Sequence, residues 1–233
     1  MNYYTWQKGA YLFLVFGCVQ FIFLTIIAMF FYQGGTYIDP NTSSYLFWNN
    51  FFSDLGRTIA HSGRSNKISF IIFTLTMSIW GISQIPFFIA ILSFFKHDKV
   101  MKQLSLIGSV LGILTGISYI GIAFTPSDTL NYIHNFFVLV AFSSIFLSII
   151  IYSITIYHDE SYSNFFSYAL TVSAFILAIY YIVLFIFPKN NIPEGLLIHV
   201  VGQKIAVYTL LSSGIIQAYG ALKQIKSLPA ASV

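Results

Sequence analysis

The chain has 233 residues, 57% of them hydrophobic and 8% charged, with a formal net charge of +4. A water-soluble domain carries about 25% charged residues, so this composition leaves too little polar surface for a soluble globule and points to a multi-pass membrane protein. The single cysteine, Cys18, excludes an intrachain disulfide and a multi-thiolate metal site. No basic run accompanies the positive charge, which therefore reads as topology signalling and not as nucleic-acid binding.

A membrane-crossing helix needs about 20 mostly apolar residues, and six segments qualify, at about 11–32, 68–95, 104–125, 132–157, 166–187 and 197–222. The predicted fold is all-α: one polytopic domain, 1–233, forming an integral bundle of six transmembrane helices, with a short interfacial helix in the first long loop. The first segment ends in Met29, Phe30, Phe31 and Tyr32, not in the small residues of a cleavage site, so it reads as a retained helix. The loop after it, Gln33 to Lys67, is the only long connection. It opens with Gly34-Gly35 and Asp39-Pro40-Asn41, which is turn chemistry. Its second half, Leu46 to His61, predicts an amphipathic helix whose apolar face is Phe47, Trp48, Phe51, Phe52, Leu55 and Ile59.

The second segment contains Pro86, which predicts a kink. The third carries Gly108, Gly112 and Gly116 at four-residue spacing and stops at Pro126. Such a stripe lets helices approach closely in lipid and predicts a central position in the bundle. The fifth stops at Pro188, and the sixth begins near Pro193, where proline suits a first helical turn.

Orientation follows from Lys and Arg in the connections. The N-terminus, the even loops and the C-tail hold Lys8, Lys96, Lys99, Lys102, Lys223 and Lys226, and the odd loops hold Arg57, Arg64, Lys67, Lys189 and Lys204. Arg57 and Lys204 belong to the candidate site below, and setting them aside gives the expected arrangement: a cell-membrane protein with both termini cytoplasmic.

The polar residues that stand out lie at alternate segment ends. Asp54, Arg57 and His61 precede the second segment, Asp128 and His134 lie between the third and fourth, and His199, Gln203 and Lys204 open the sixth. If every segment crosses, these positions share one membrane face and can meet in one pocket. Each has a plain structural explanation. Asp54, Arg57 and His61, at i, i+3 and i+7, suit a salt bridge and a solvated histidine on one helix face. Asp128 suits an N-cap of the fourth helix, and Lys204 suits snorkelling to the headgroups. Intramembrane ionisable residues nevertheless face a cavity or a partner more often than lipid. Three imidazoles, His61, His134 and His199, are a donor set that zinc accepts, and zinc-bound water could attack a lipid ester or amide. No HExxH run or histidine pair at i, i+4 supports that reading. His97 and His158 fall at the opposite end, in short polar loops.

At these residues the chain resembles the prokaryotic six-helix membrane family known as domain of unknown function 998, itself similar to the DRAM-type autophagy-modulator membrane proteins. The likeness rests on Phe52-Ser53-Asp54-Leu55-Gly56, Asn66, Phe124-Thr125-Pro126-Ser127-Asp128 with His134, and Gly202-Gln203-Lys204. It implies six helices and a polar site on the outer side, without an established activity. The family tends to have arginine after the glutamine, where this chain has Lys204, which cannot make a planar bidentate contact. His61 and His199 are not clearly part of the pattern.

Four functions compete on sequence grounds. The first is a pocket for a lipid or lipid-like headgroup, lined by Asp54, Arg57, Asp128, His134, Gln203 and Lys204. The second is an intramembrane hydrolase of lipid esters or amides, with Asp54, His61, Asp128 and His134 as acid–base candidates and zinc as its cofactor. The third, a transporter, is disfavoured by the lack of repeats and of charge deep in the spans. The fourth is a structural subunit of a membrane complex. Membrane lipids are the expected partners, nucleic acid is not, and a homo- or hetero-oligomer is left open.

Overall fold

The computed structural model describes residues 3–96, 98–187 and 191–227. His97, Pro188 and Lys189 lie outside the described residues. Six long helices follow one another: α1 (Tyr3–Phe31), α2 (Lys67–Ile91), α3 (Lys99–Phe124), α4 (Asn131–Tyr157), α5 (Asn164–Ile186) and α6 (Pro193–Ser227). All six are long and apolar enough to cross a membrane. The apolar segments mark their middles, and several ends run further. α1 starts about two turns before its apolar segment. That extension is anchored, because Gln7 donates from Nε2 to Ser93 Oγ at 2.5 Å beyond the end of α2. Asp98 caps α3 by accepting from the Met101 N–H at 2.8 Å. α2 continues through Pro86 as one helix.

Each helix packs on its neighbours in sequence, and α6 returns against α1, so the six close into a ring. α3 is therefore not central, as its glycine stripe suggested, but sits between α2 and α4. The glycines serve both neighbours. A Cβ on Gly116 would lie 2.6 Å from the Gly81 carbonyl oxygen, and one on Gly81 would lie 2.5 Å from that of Gly116, so α2 and α3 touch backbone to backbone. Gly112 makes room for the Phe88 ring of α2, and Gly108 for the Tyr152 ring of α4. On the ring axis Trp80 of α2 stacks on Tyr119 of α3, with centroids 4.2 Å apart and planes at 14°.

The first loop folds over one end of the ring. Gly34 and Gly35 have φ of 85° and 79°, and the space a Cβ on Gly35 would need is taken by the His61–Ser62 backbone. The expected helix from Leu46 to His61 shrinks to one 3₁₀ turn, Phe52–Gly56, followed by extended chain in which Ile59 bridges Ser65. Side chains that compete with helical bonding account for the difference. Asn50 Oδ1 accepts from the Leu46 N–H at 2.9 Å, and Asp54 Oδ2 accepts from the Phe51 N–H at 2.9 Å. Gly56 then lies directly against the Phe73 ring.

Candidate functional site

The polar residues singled out in the sequence converge on the underside of this loop, although not as a single helix face would have arranged them. Asp54 is buried, at 4% exposure. One carboxylate oxygen accepts from the Phe51 N–H and from Asn50 Nδ2 at 3.1 Å, and the other accepts from His61 Nε2 at 3.1 Å. His61 reaches Asp54 because the chain turns back after the 3₁₀ turn, not through helical spacing. Arg57 points elsewhere: its Nε donates to the Ile59 carbonyl at 3.1 Å, within its own loop. The expected Asp54–Arg57 salt bridge is not formed, and Asp54 pairs with His61 instead.

Asp128 does not cap α4. Its carboxylate clasps the first loop, accepting from the Thr58 N–H at 3.0 Å, the Thr58 hydroxyl at 2.6 Å and the Ile59 N–H at 2.9 Å. Two backbone N–H groups and a hydroxyl on an extended segment thus take the carboxylate that the sequence assigned to the helix start. Burial pushes the Asp128 carboxyl up, but the bonds from Thr58 and Ile59 together outweigh burial and hold it below its ordinary value. A carboxyl lowered by folding adds stability above the unfolded-state value and loses it as pH falls through the lowered folded-state value. The clasp is therefore intact at neutral pH and opens only in acid below the ordinary carboxylate range. Asp128→Asn is expected to weaken it by about 1–2 kcal/mol, or roughly tenfold faster amide exchange at Thr58 and Ile59. Unchanged exchange at those two amides contradicts the assignment.

α6 supplies the third anchor. Gln203 Oε1 accepts from the Phe52 N–H at 2.8 Å. Lys204 does not snorkel: it is buried at 2% exposure and points under the loop. Its Nζ donates to the Asn50 carbonyl at 2.6 Å and to the Tyr45 hydroxyl at 3.2 Å. The rings of Phe47 and Phe52 each lie 4.8 Å from the ammonium and that of Tyr45 lies 5.5 Å from it, so the charge is held by ring faces and carbonyl oxygen.

His134 is buried, with Nδ1 at 2.6 Å from the Thr125 carbonyl oxygen. A carbonyl can only accept, so Nδ1 carries the proton and Nε2 of the neutral ring is the acceptor. His134 lines a small cavity below the loop together with Ser53 and Gln203. His199 is buried near the start of α6. Among the described residues no three His, Cys, Asp or Glu side chains group as metal ligands, so His61, His134 and His199 are not brought together as a zinc donor set.

Three residues that sequence reasoning passed over hold the network together. Asn50, fully buried, links the Gly35 carbonyl, Asp54 and the Leu46 N–H, and its own carbonyl accepts from Lys204. The Tyr45 hydroxyl lies 3.0 Å from the carbonyls of both Asn50 and Phe51. Asn66, which entered the sequence reading only through the family resemblance and with no role assigned, donates to the Leu55 and Arg57 carbonyls at 3.3 and 3.0 Å. The closeness of Asn50 and Asp54 in sequence was the one available signal, and it became legible only once the chain was known to turn there.

Beside this cap, α5 and α6 leave a groove of about 710 Å³ on the outside of the ring. Phe47 and Trp48 of the first loop, Lys204 and Tyr208 of α6, and Tyr168 and Val172 of α5 contribute to its walls. No family model matches this chain, and neither the curated proteins nor the solved structures yield a match.

Proposed function

We propose that this multi-pass membrane protein binds a membrane lipid in the groove between α5 and α6, with the headgroup against Lys204. The observation that carries this reading is the geometry of the ammonium. It has three N–H donors, two of which go to Asn50 and Tyr45. The same side chain lines the groove, next to Phe47 and Trp48. A phosphate or ester oxygen of a lipid suits the third donor, and the aromatic pair suits the level where acyl chain meets headgroup. Asp54, Asp128 and Gln203 act on the ligand through the loop: they hold it where Lys204 and the two rings meet. Arg57 is half-buried, bonds within its own loop and is not among the residues that line the groove, so the headgroup is assigned to Lys204 alone. The Lys and Arg distribution supports placing this end outside the cytoplasm.

The test is lipid retention. Protein purified in mild detergent is expected to carry a bound anionic phospholipid in native mass spectra. Lys204→Met is expected to lower its occupancy about tenfold, the value of one lost charge-assisted hydrogen bond. Equal retention by the folded variant contradicts the reading.

A second reading keeps one observation in its favour. His61 and Asp54 form an acid–base pair at 3.1 Å, with the histidine side chain 12% exposed, which is the pairing a general base needs. Turnover of a lipid ester or amide by the purified protein, abolished by His61→Gln, would carry that reading.

A further inference from the structure

Two cavities lie inside the ring, one above the other along its axis. The first, about 40 Å³, is under the loop cap and is lined on α2 by Phe73, Met77 and Trp80, with His134 and Gln203 opposite. The second, about 50 Å³, runs from Trp80 past Gln84 to Ile91 and is closed by residues of all the other helices, Gln217 and Ser213 of α6 among them. Trp80 and Tyr119 belong to both walls, so their stacked rings are the partition. From Phe73 to Ile91 α2 rises about 27 Å, close to the roughly 30 Å hydrocarbon thickness of a bilayer. The residues lining the two cavities are thus drawn from most of the length of α2, and the stack divides one cavity from the other.

The walls are mostly apolar, but they carry buried polar groups that a dry cavity would leave unpaired. The Tyr119 hydroxyl and Gln217 Oε1 are buried with no protein partner. Gln217 is oriented by its own Nε2, which donates to the Phe166 carbonyl at 3.0 Å. Gln84 is 7% exposed and lines the lower cavity. At this depth no bulk water reaches these groups from the lipid side, and leaving them unpaired in an apolar space is unfavourable. A water needs about 10–15 Å³ of such volume and two to four polar partners, so each cavity has room for a few waters, with Gln84, Tyr119 and Gln217 as partners in the lower one and Ser53, Tyr119, His134 and Gln203 in the upper. Neither lining contains Asp, Glu, Lys or Arg, so an ion would find no counter-charge.

We infer that the ring encloses a hydrated axial path for water, shut in this conformation by the Trp80–Tyr119 stack. The path is separate from the lipid groove on the outside of α5 and α6, and its test does not depend on lipid binding. In liposomes carrying the full chain, osmotic shrinkage followed by light scattering is expected to be near that of protein-free vesicles. Trp80→Ala removes one half of the partition and is expected to speed shrinkage about tenfold. Tyr119→Ala is the second variant should Trp80→Ala not give a monodisperse, helical protein. Hydration is read on the unaltered chain by water-edited solid-state NMR in bilayers. The side-chain amides of Gln84 and Gln217 are expected to receive water magnetisation as fast as that of the loop residue Gln33. Transfer to both as slow as to the lipid-facing Phe175 backbone overturns the inference, and so does a folded partition variant no faster than the unaltered chain.

Discussion

Asp54→Ala is expected to cost this protein about 3–5 kcal/mol, because the carboxylate it removes is buried and is the acceptor for the Phe51 N–H and the partner of His61. The Phe51 N–H and Asn50 Nδ2 share one of its oxygens, and His61 holds the other. Asn50, which Asp54 holds through Nδ2, is also the residue whose carbonyl accepts from Lys204, so the loss loosens the seat of the ammonium as well. The 3₁₀ turn loses the bond that closes its start, and the cap loses its central tie. At this chain length the cost corresponds to a fall of roughly 10 °C in the unfolding midpoint in detergent. Asp54→Asn keeps an acceptor for Phe51 and should fall between the two. A midpoint for Asp54→Ala no lower than that of a surface change such as Glu160→Ala contradicts this account of the cap.

Gly116→Val is the second large effect, and it acts on the ring instead of the cap. Overpacking a core usually costs about 1–3 kcal/mol because side chains can shift to make room. Here the first atom in the way is backbone: a Cβ at Gly116 would sit 2.6 Å from the Gly81 carbonyl oxygen, in the wall of the neighbouring helix. Relief requires α2 and α3 to separate along their length, which also disturbs the Trp80–Tyr119 stack. The cost is expected at or above the top of that range, with loss of monodisperse protein on size-exclusion chromatography. Gly63→Val is the control for a loop glycine whose Cβ would meet nothing within 4 Å, although its φ of 81° adds backbone strain of its own. Wild-type behaviour of Gly116→Val would show that α2 and α3 are not in backbone contact.

The helices were legible because lipid demands length and hydrophobicity, and both are local properties. Pro193, the apolar runs and the glycine stripe each marked the element to which they belong. What the stripe could not convey was position: small residues require close neighbours but not a central place, and α3 meets its two neighbours as one member of a ring. The gathering of Asp54, Asp128, Gln203 and Lys204 at one end was also legible, since six crossings put the odd connections together. Their bonds were not. Asp128 reads as an N-cap because the sequence shows the helix after it and not the extended Thr58–Ile59 backbone that comes to lie beside it. The expected helix through Asp54 fails for a related reason. Apolar periodicity was present, but Asn50 and Asp54 captured the local N–H groups first. Lys204 reads as a snorkelling residue until the loop that covers it is seen, since burial of a lysine depends on carbonyls and rings more than 150 positions away.

The most direct measurement is a cryo-electron microscopy map of the protein in lipid nanodiscs. The expected map shows elongated density in the groove between α5 and α6, ending in a headgroup within hydrogen-bonding distance of Lys204 Nζ, with Asp54 and Asp128 still bonded to the first loop. A groove filled by protein side chains, or a Lys204 turned away from it beneath an ordered lipid, would contradict the account.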